Sequence, residues 1–74
     1  MIYKTLRKVT SATKYEVVVF DKNGNYYDEF TLDYTGDKEG LDENILKSFT
    51  YEKCSVRNVS TYHDGSLYIG LTYK

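Results

Sequence analysis

Residues 15–32 read YEVVVFDKNGNYYDEFTL, and this stretch decides the fold. The run Val17, Val18, Val19, Phe20 is apolar at every position rather than at alternate ones. A strand apolar on both faces belongs at the centre of a sheet, which places residues 15–20 there; one helix of about nine residues covers a single sheet face, so the other is expected to stay open to water. Asn23-Gly24 follows, a pair suited to a two-residue type I′ turn in which both central residues take positive φ. Residues 26–32 are then the returning strand. Such a turn sets the register: Phe20 lies opposite Tyr27, Val18 opposite Glu29 and Val17 opposite Phe30.

Residues 2–9, IYKTLRKV, read as a strand preceding this hairpin. With a two-residue turn at 11–12, Tyr3 faces Phe20 and Arg7 faces Glu16. Leu6, Tyr15, Val17, Val19, Phe30 and Leu32 then share one sheet face. Tyr3, Phe20 and Tyr27 form a row across the other, beside Val18 and Thr5. A three-residue loop would instead turn Tyr3 to the opposite face.

Beyond a polar loop at 33–40, residues 41–49 read as the one helix. Asp42 suits the N-cap, Leu41 and Leu46 form a hydrophobic staple, and Leu41, Ile45, Leu46 and Phe49 make the apolar stripe. Residues 54–62 and 67–73 are two further strands joined at Asp64-Gly65. That turn sets Tyr62 against Leu67, Ser60 against Ile69, Asn58 against Leu71 and Val56 against Tyr73. Val59, Thr61, Tyr68 and Arg57 extend the face away from the helix. Gly70, opposite Val59, marks a bend or bulge, or else leaves a shallow hollow. The expected architecture is a single α+β domain over residues 1–74, in the order β-β-β-α-β-β. Its sheet is largely antiparallel, with one helix packed on one face.

Composition agrees with a small sheet protein. Val, Ile, Tyr, Phe and Thr supply 29 of 74 residues and Ala occurs once, which disfavours a helix bundle. No apolar run approaches the roughly 20 residues of a membrane span, and residues 1–10 lack the apolar core of a secretory signal. A lone Cys54 makes no intrachain disulfide, which favours a reducing cytoplasm. Abundant Lys, Tyr and Asn with scarce Ala, Arg and Pro imply AT-rich codons. The expected location is the cytoplasm of a bacterial host cell, with the chain encoded by the bacterium, a phage or a mobile element.

Catalytic groups are scarce. His63 is the single histidine and Cys54 the single thiol. Nine residues apart on one expected strand, they stand about 30 Å from each other. Zinc spacing and the GK[ST] ending of a phosphate loop are missing, and DYTGDKE lacks the ligand alternation of a calcium loop. The expectation is a protein that is not an enzyme and uses no cofactor or metal.

Charge is segregated. The chain carries net −1, yet residues 1–20 hold +3 and residues 28–43 hold −6. Asp42 and Glu43 suit a first helical turn. Asp28, Glu29, Asp33, Asp37 and Glu39 form either a solvated loop or a surface that steers a basic partner. In size, composition and lack of chemistry the chain resembles the small acidic inhibitors encoded by phages and mobile elements. That resemblance implies a non-catalytic protein-binding module, an inhibitor of a host defence protein. It would act through the acidic segment and an aromatic sheet face of Tyr3, Phe20, Tyr27 and Tyr68, on a protein partner with a basic surface. The aromatic face has other readings. Cross-strand aromatics stabilise a sheet by roughly 0.2–1 kcal/mol per pair, a homodimer could bury them, and they could stack a single-stranded nucleic acid or nucleotide.

Overall fold

A computed structural model gives the fold, and residues 1–10, 12–33 and 43–73 are described, residue 43 by its backbone alone. The elements are α1 (Tyr3–Val9), β1 (Lys14–Phe20), β2 (Tyr26–Asp33), α2 (Glu43–Thr50), β3 (Ser55–Thr61) and β4 (Leu67–Thr72). The domain is α+β, as expected, but its order is α-β-β-α-β-β.

The four strands lie in the order β2-β1-β4-β3. Two antiparallel hairpins, β1–β2 and β3–β4, are joined through a parallel β1–β4 pair, so the sheet is mixed. The unbroken apolar run at 17–20 does sit in a central strand. Its neighbour β4 is equally apolar, and Val17, Val19, Ile69 and Leu71 are completely buried. Both helices cover the side that carries Tyr15, Val17, Val19, Phe30 and Leu32, the set expected to face the helix. Among the described residues no helix is long and apolar enough to cross a membrane.

The expected first strand is α1 instead. Its composition explains the difference: Lys4, Leu6, Arg7 and Lys8 are good helix formers, and Arg7 and Lys8 in the last turn oppose the helix dipole. Tyr3 and Leu6, three apart, become the buried side. Ile2 offers no side-chain cap. The orphan amides of Tyr3 and Lys4 donate instead to the carbonyls of Cys54 and Glu52, each at 2.9 Å. The chain leaving α2 thus caps α1. Val56 donates its amide to Met1 at 2.8 Å, which adds the N-terminal residues to the outer margin of β3.

Both hairpin turns differ from the expected two-residue form. Positive φ occurs only at Gly24 (+87°) and Gly65 (+86°) among the described residues. Asn23 and Asp64 avoid the left-handed region, so neither turn is type I′. Each loop has three residues with glycine in the last place, closed by Asp21 N to Asn25 O at 2.8 Å and Tyr62 N to Ser66 O at 2.9 Å. Phe20 therefore pairs with Tyr26, and an irregularity after Val19 leaves Tyr27 as an extra residue. From there the expected pairs Val18–Glu29 and Val17–Phe30 hold. In the second hairpin the register moves by one: Thr61 meets Leu67, Val59 meets Ile69 and Asn58 meets Gly70.

The expected helix is present as α2, while its proposed cap and staple at Leu41 and Asp42 lie outside the described residues. Ile45 packs against the core. Leu46 and Phe49, however, are 51% and 60% exposed. The side turned inward runs through Ile45 and Ser48 to Tyr51, which follows the helix and is buried with Cys54.

Gly65→Ala should cost about 1–2 kcal/mol, because no heavy atom lies near the added methyl and only the left-handed backbone opposes it. Urea unfolding measures the loss; an unchanged midpoint would show that the loop relaxes to another turn.

Candidate functional site: the uncovered sheet face

The described residues leave one side of the sheet without a helix. On β1 this side carries Lys14, Glu16, Val18 and Phe20; on β2, Tyr26, Glu29 and Thr31; on β4, Tyr68, Gly70 and Thr72; on β3, Asn58 and Ser60. Aromatic rings gather at its two ends. At one end Phe20 pairs with Tyr26, which is 60% exposed. The Arg57 guanidinium lies 4.8 Å from the Phe20 ring centroid and beside the Gly24 turn. A cation on an aromatic face contributes about 0.5–1 kcal/mol at an exposed site. At the other end are Tyr68 and Tyr62, whose hydroxyl donates to Glu16 Oε2 at 2.9 Å. That hydrogen bond to a carboxylate, with lesser help from burial and nearby charge, raises the Tyr62 pKa.

Between the ends the floor is Val18 and Gly70. A side chain at 70 would collide with the amide of Asn58 and meet the Phe20 ring edge at 3.7 Å. Gly70 therefore permits close approach of Asn58 and leaves no empty hollow. Beside the Tyr62 end, Lys14, Glu16, Thr31, Tyr62, His63, Asp64 and Ser66 surround an open depression of about 540 Å³. His63 lies there next to Asp64, but that carboxylate accepts from the Ser66 amide at 2.9 Å and the Ser66 hydroxyl at 2.6 Å. Among the described residues, no group of three or more His, Cys, Asp or Glu is placed to hold a metal ion.

The expected aromatic row is not formed. Phe20 and Tyr68 are on the uncovered side, both half-buried. Tyr3 is 1% exposed, because its segment is a helix on the other side of the sheet. Its ring meets Phe30 edge-on at 6.1 Å, and its hydroxyl bonds Ser48 Oγ at 2.8 Å and accepts from Arg7 at 3.0 Å. Tyr27, displaced by the extra residue in β2, also joins the helix side. It stacks on Tyr73 at 4.7 Å and meets Tyr51 edge-on at 6.4 Å.

The acidic set is divided as well. Glu29 is exposed on the uncovered side and Asp33 is half-buried at the end of β2; Asp37 and Glu39 lie outside the described residues. Asp28 points toward α2, where it accepts from Tyr51 Oη at 2.8 Å and pairs with Lys47 at 3.1 Å. Glu29's backbone amide donates to Asp28 Oδ1 at 2.8 Å, and its carbonyl accepts from Lys47 Nζ at 3.4 Å. Tyr26, Asn58 and Tyr62 are the surface residues that sequence reasoning missed; Arg57 was expected on this side and is found there, whereas Val59 and Thr61, also expected here, are turned to the other side by the one-residue shift in β3. A three-residue reading of each glycine turn would have placed Tyr26 and Tyr62 correctly.

Comparison with protein-family models, curated proteins and solved structures finds no match for this chain.

Partial burial works to raise the Asp28 pKa, but the Tyr51 hydroxyl, the Lys47 ammonium and the Glu29 amide outweigh it and the net shift is downward. A lowered carboxylate pKa stabilises the fold above the unfolded value of about 4, and that stability is lost as pH falls through the folded value. Asp28→Asn should therefore cost about 1–3 kcal/mol at neutral pH. The gap to wild type should close under acid, as read by urea midpoints across a pH series. A pH-independent gap would assign the loss to packing.

Proposed function

We propose that the protein is a non-catalytic binding module that occupies the surface of another protein through its uncovered sheet face. The observation that carries this reading is the pair of aromatic ends on that face, Phe20–Tyr26 and Tyr68–Tyr62, with the Arg57 guanidinium over the Phe20 ring. Tyr and Arg supply most of the binding energy at protein interfaces when they become buried. An open four-stranded surface holding both, already ordered by internal contacts, loses little side-chain freedom on binding.

Charge on the face selects the partner. Glu16, Glu29 and, at the margin, Asp33 outnumber Lys14 and Arg57 there, which favours a basic rim on the partner over a phosphate backbone. A single-stranded nucleic acid is the second reading, kept for the exposed tyrosines. The small size, the acidic segment and the scarcity of catalytic groups support the narrower reading, an inhibitor of a host defence protein that acts in a bacterial cytoplasm.

Capture of a bacterial partner with a photocrosslinker at Tyr26 or Tyr62, followed by affinity measurements on variants, tests the proposal. Tyr26→Ala or Tyr62→Ala should weaken binding by about tenfold or more, and Glu29→Lys should slow association at low salt. Full affinity in all three variants, or binding of fluorescent oligonucleotides in place of protein, would overturn it.

A further inference from the structure

A second surface lies on the opposite side of the domain, between the helices. Tyr3, Lys4, Arg7, Lys8, Ser48, Phe49 and Glu52 line an open groove of about 260 Å³. Lys4, Arg7 and Lys8 stand at positions i, i+3 and i+4 of α1, so their side chains share one face. The Arg7 guanidinium is fixed. It donates to Tyr3 Oη at 3.0 Å and Ser48 Oγ at 3.1 Å, and it lies 4.7 Å from the Tyr15 ring centroid. Lys4 and Lys8 are exposed, and neither forms an ion pair with a carboxylate among the described residues.

Three cations against Glu52 leave the groove with two positive charges. Two hydroxyls stand beside them, and the exposed ring of Phe49 forms an apolar wall. We propose that this groove binds a small organic phosphate monoester, its phosphate between Lys4 and Lys8 and its carbon skeleton against Phe49. A phosphate monoester carries about −1.5 to −2 charge near neutrality, which matches the excess. A carboxylate supplies half of that. Arg7 contributes field and shape from the back of the groove. The uncovered sheet face takes no part, so the two surfaces can be tested separately.

The probe is phenyl phosphate, titrated into the full chain and followed through backbone amide shifts. Saturable shifts at Lys4, Lys8, Ser48 and Phe49 are expected. The Lys4→Glu/Lys8→Glu variant should bind about tenfold or more weakly while keeping the far-ultraviolet circular dichroism of the wild type. Phe49→Ala should lower affinity for phenyl phosphate and leave that for inorganic phosphate unchanged. Unsaturable shifts, shifts centred on another surface, or equal affinity in the double-lysine variant would overturn the proposal. Benzoate binding as tightly as phenyl phosphate would overturn the assignment to a phosphate.

Discussion

Parallel pairing of β1 with β4 governs the rest of the molecule. Adjacent parallel strands cannot be joined by a short turn, so the chain must leave the sheet and cross over before it returns. Here each central strand first makes a hairpin with its own outer neighbour, and the crossover carries α2. Val17, Val19, Ile69 and Leu71 lie on the covered side of this pair and are wholly buried. Burying an aliphatic side chain of this size stabilises the fold by about 1.5–3 kcal/mol. With both helices committed to that side, the described residues provide no second layer, and Phe20, Tyr26, Tyr62 and Tyr68 are left at the surface.

The helices depend on each other in a similar way. α1 is two turns long and has no side-chain cap, a length at which an isolated helix is marginal in water. It persists because the chain leaving α2 accepts its first amides and because Tyr3 reaches Ser48 and Phe30. Tyr51 completes the arrangement from the other end, stacked on Phe30 at 6.1 Å and bonded to Asp28. Burial, and next the bond to Asp28, raise the Tyr51 pKa, so the phenol stays a donor throughout the neutral range.

Legibility in the sequence followed the strength of local signals. Val17 to Phe20 marks a central strand, and the alternation around it, Tyr15 against Glu16 and Phe30 and Leu32 against Glu29 and Thr31, shows which side is buried. Gly24 and Gly65 marked both turns. They did not reveal loop length, because a glycine in αL closes both two- and three-residue hairpins, and one residue decides which way a tyrosine points. IYKTLRKV misled because its helix formers carry only two inward side chains, Tyr3 and Leu6, whose partners are distant in sequence. Leu46 and Phe49 misled for the opposite reason: they lie on an amphipathic stripe, but Tyr51 beyond the helix fills the space they were expected to take. Of the expected contact residues, Phe20 and Tyr68 on the uncovered side and Glu29 beside them were placed correctly. Tyr3 and Tyr27 were not, since a bulge and a strand-to-helix change lie outside what alternation of side chains encodes; Asp28 sits opposite Val19 as the expected register implies, bonded to Tyr51 and Lys47.

β2 forms one margin of the sheet, where a strand ordinarily offers free amides and carbonyls to any chain that arrives. At Glu29 both groups are already engaged, one by a neighbouring carboxylate and the other by a lysine reaching down from α2. A foreign strand would have to strip away an ion pair before it could zip on. At this position the β2 margin is thereby closed to edge-to-edge addition of another strand.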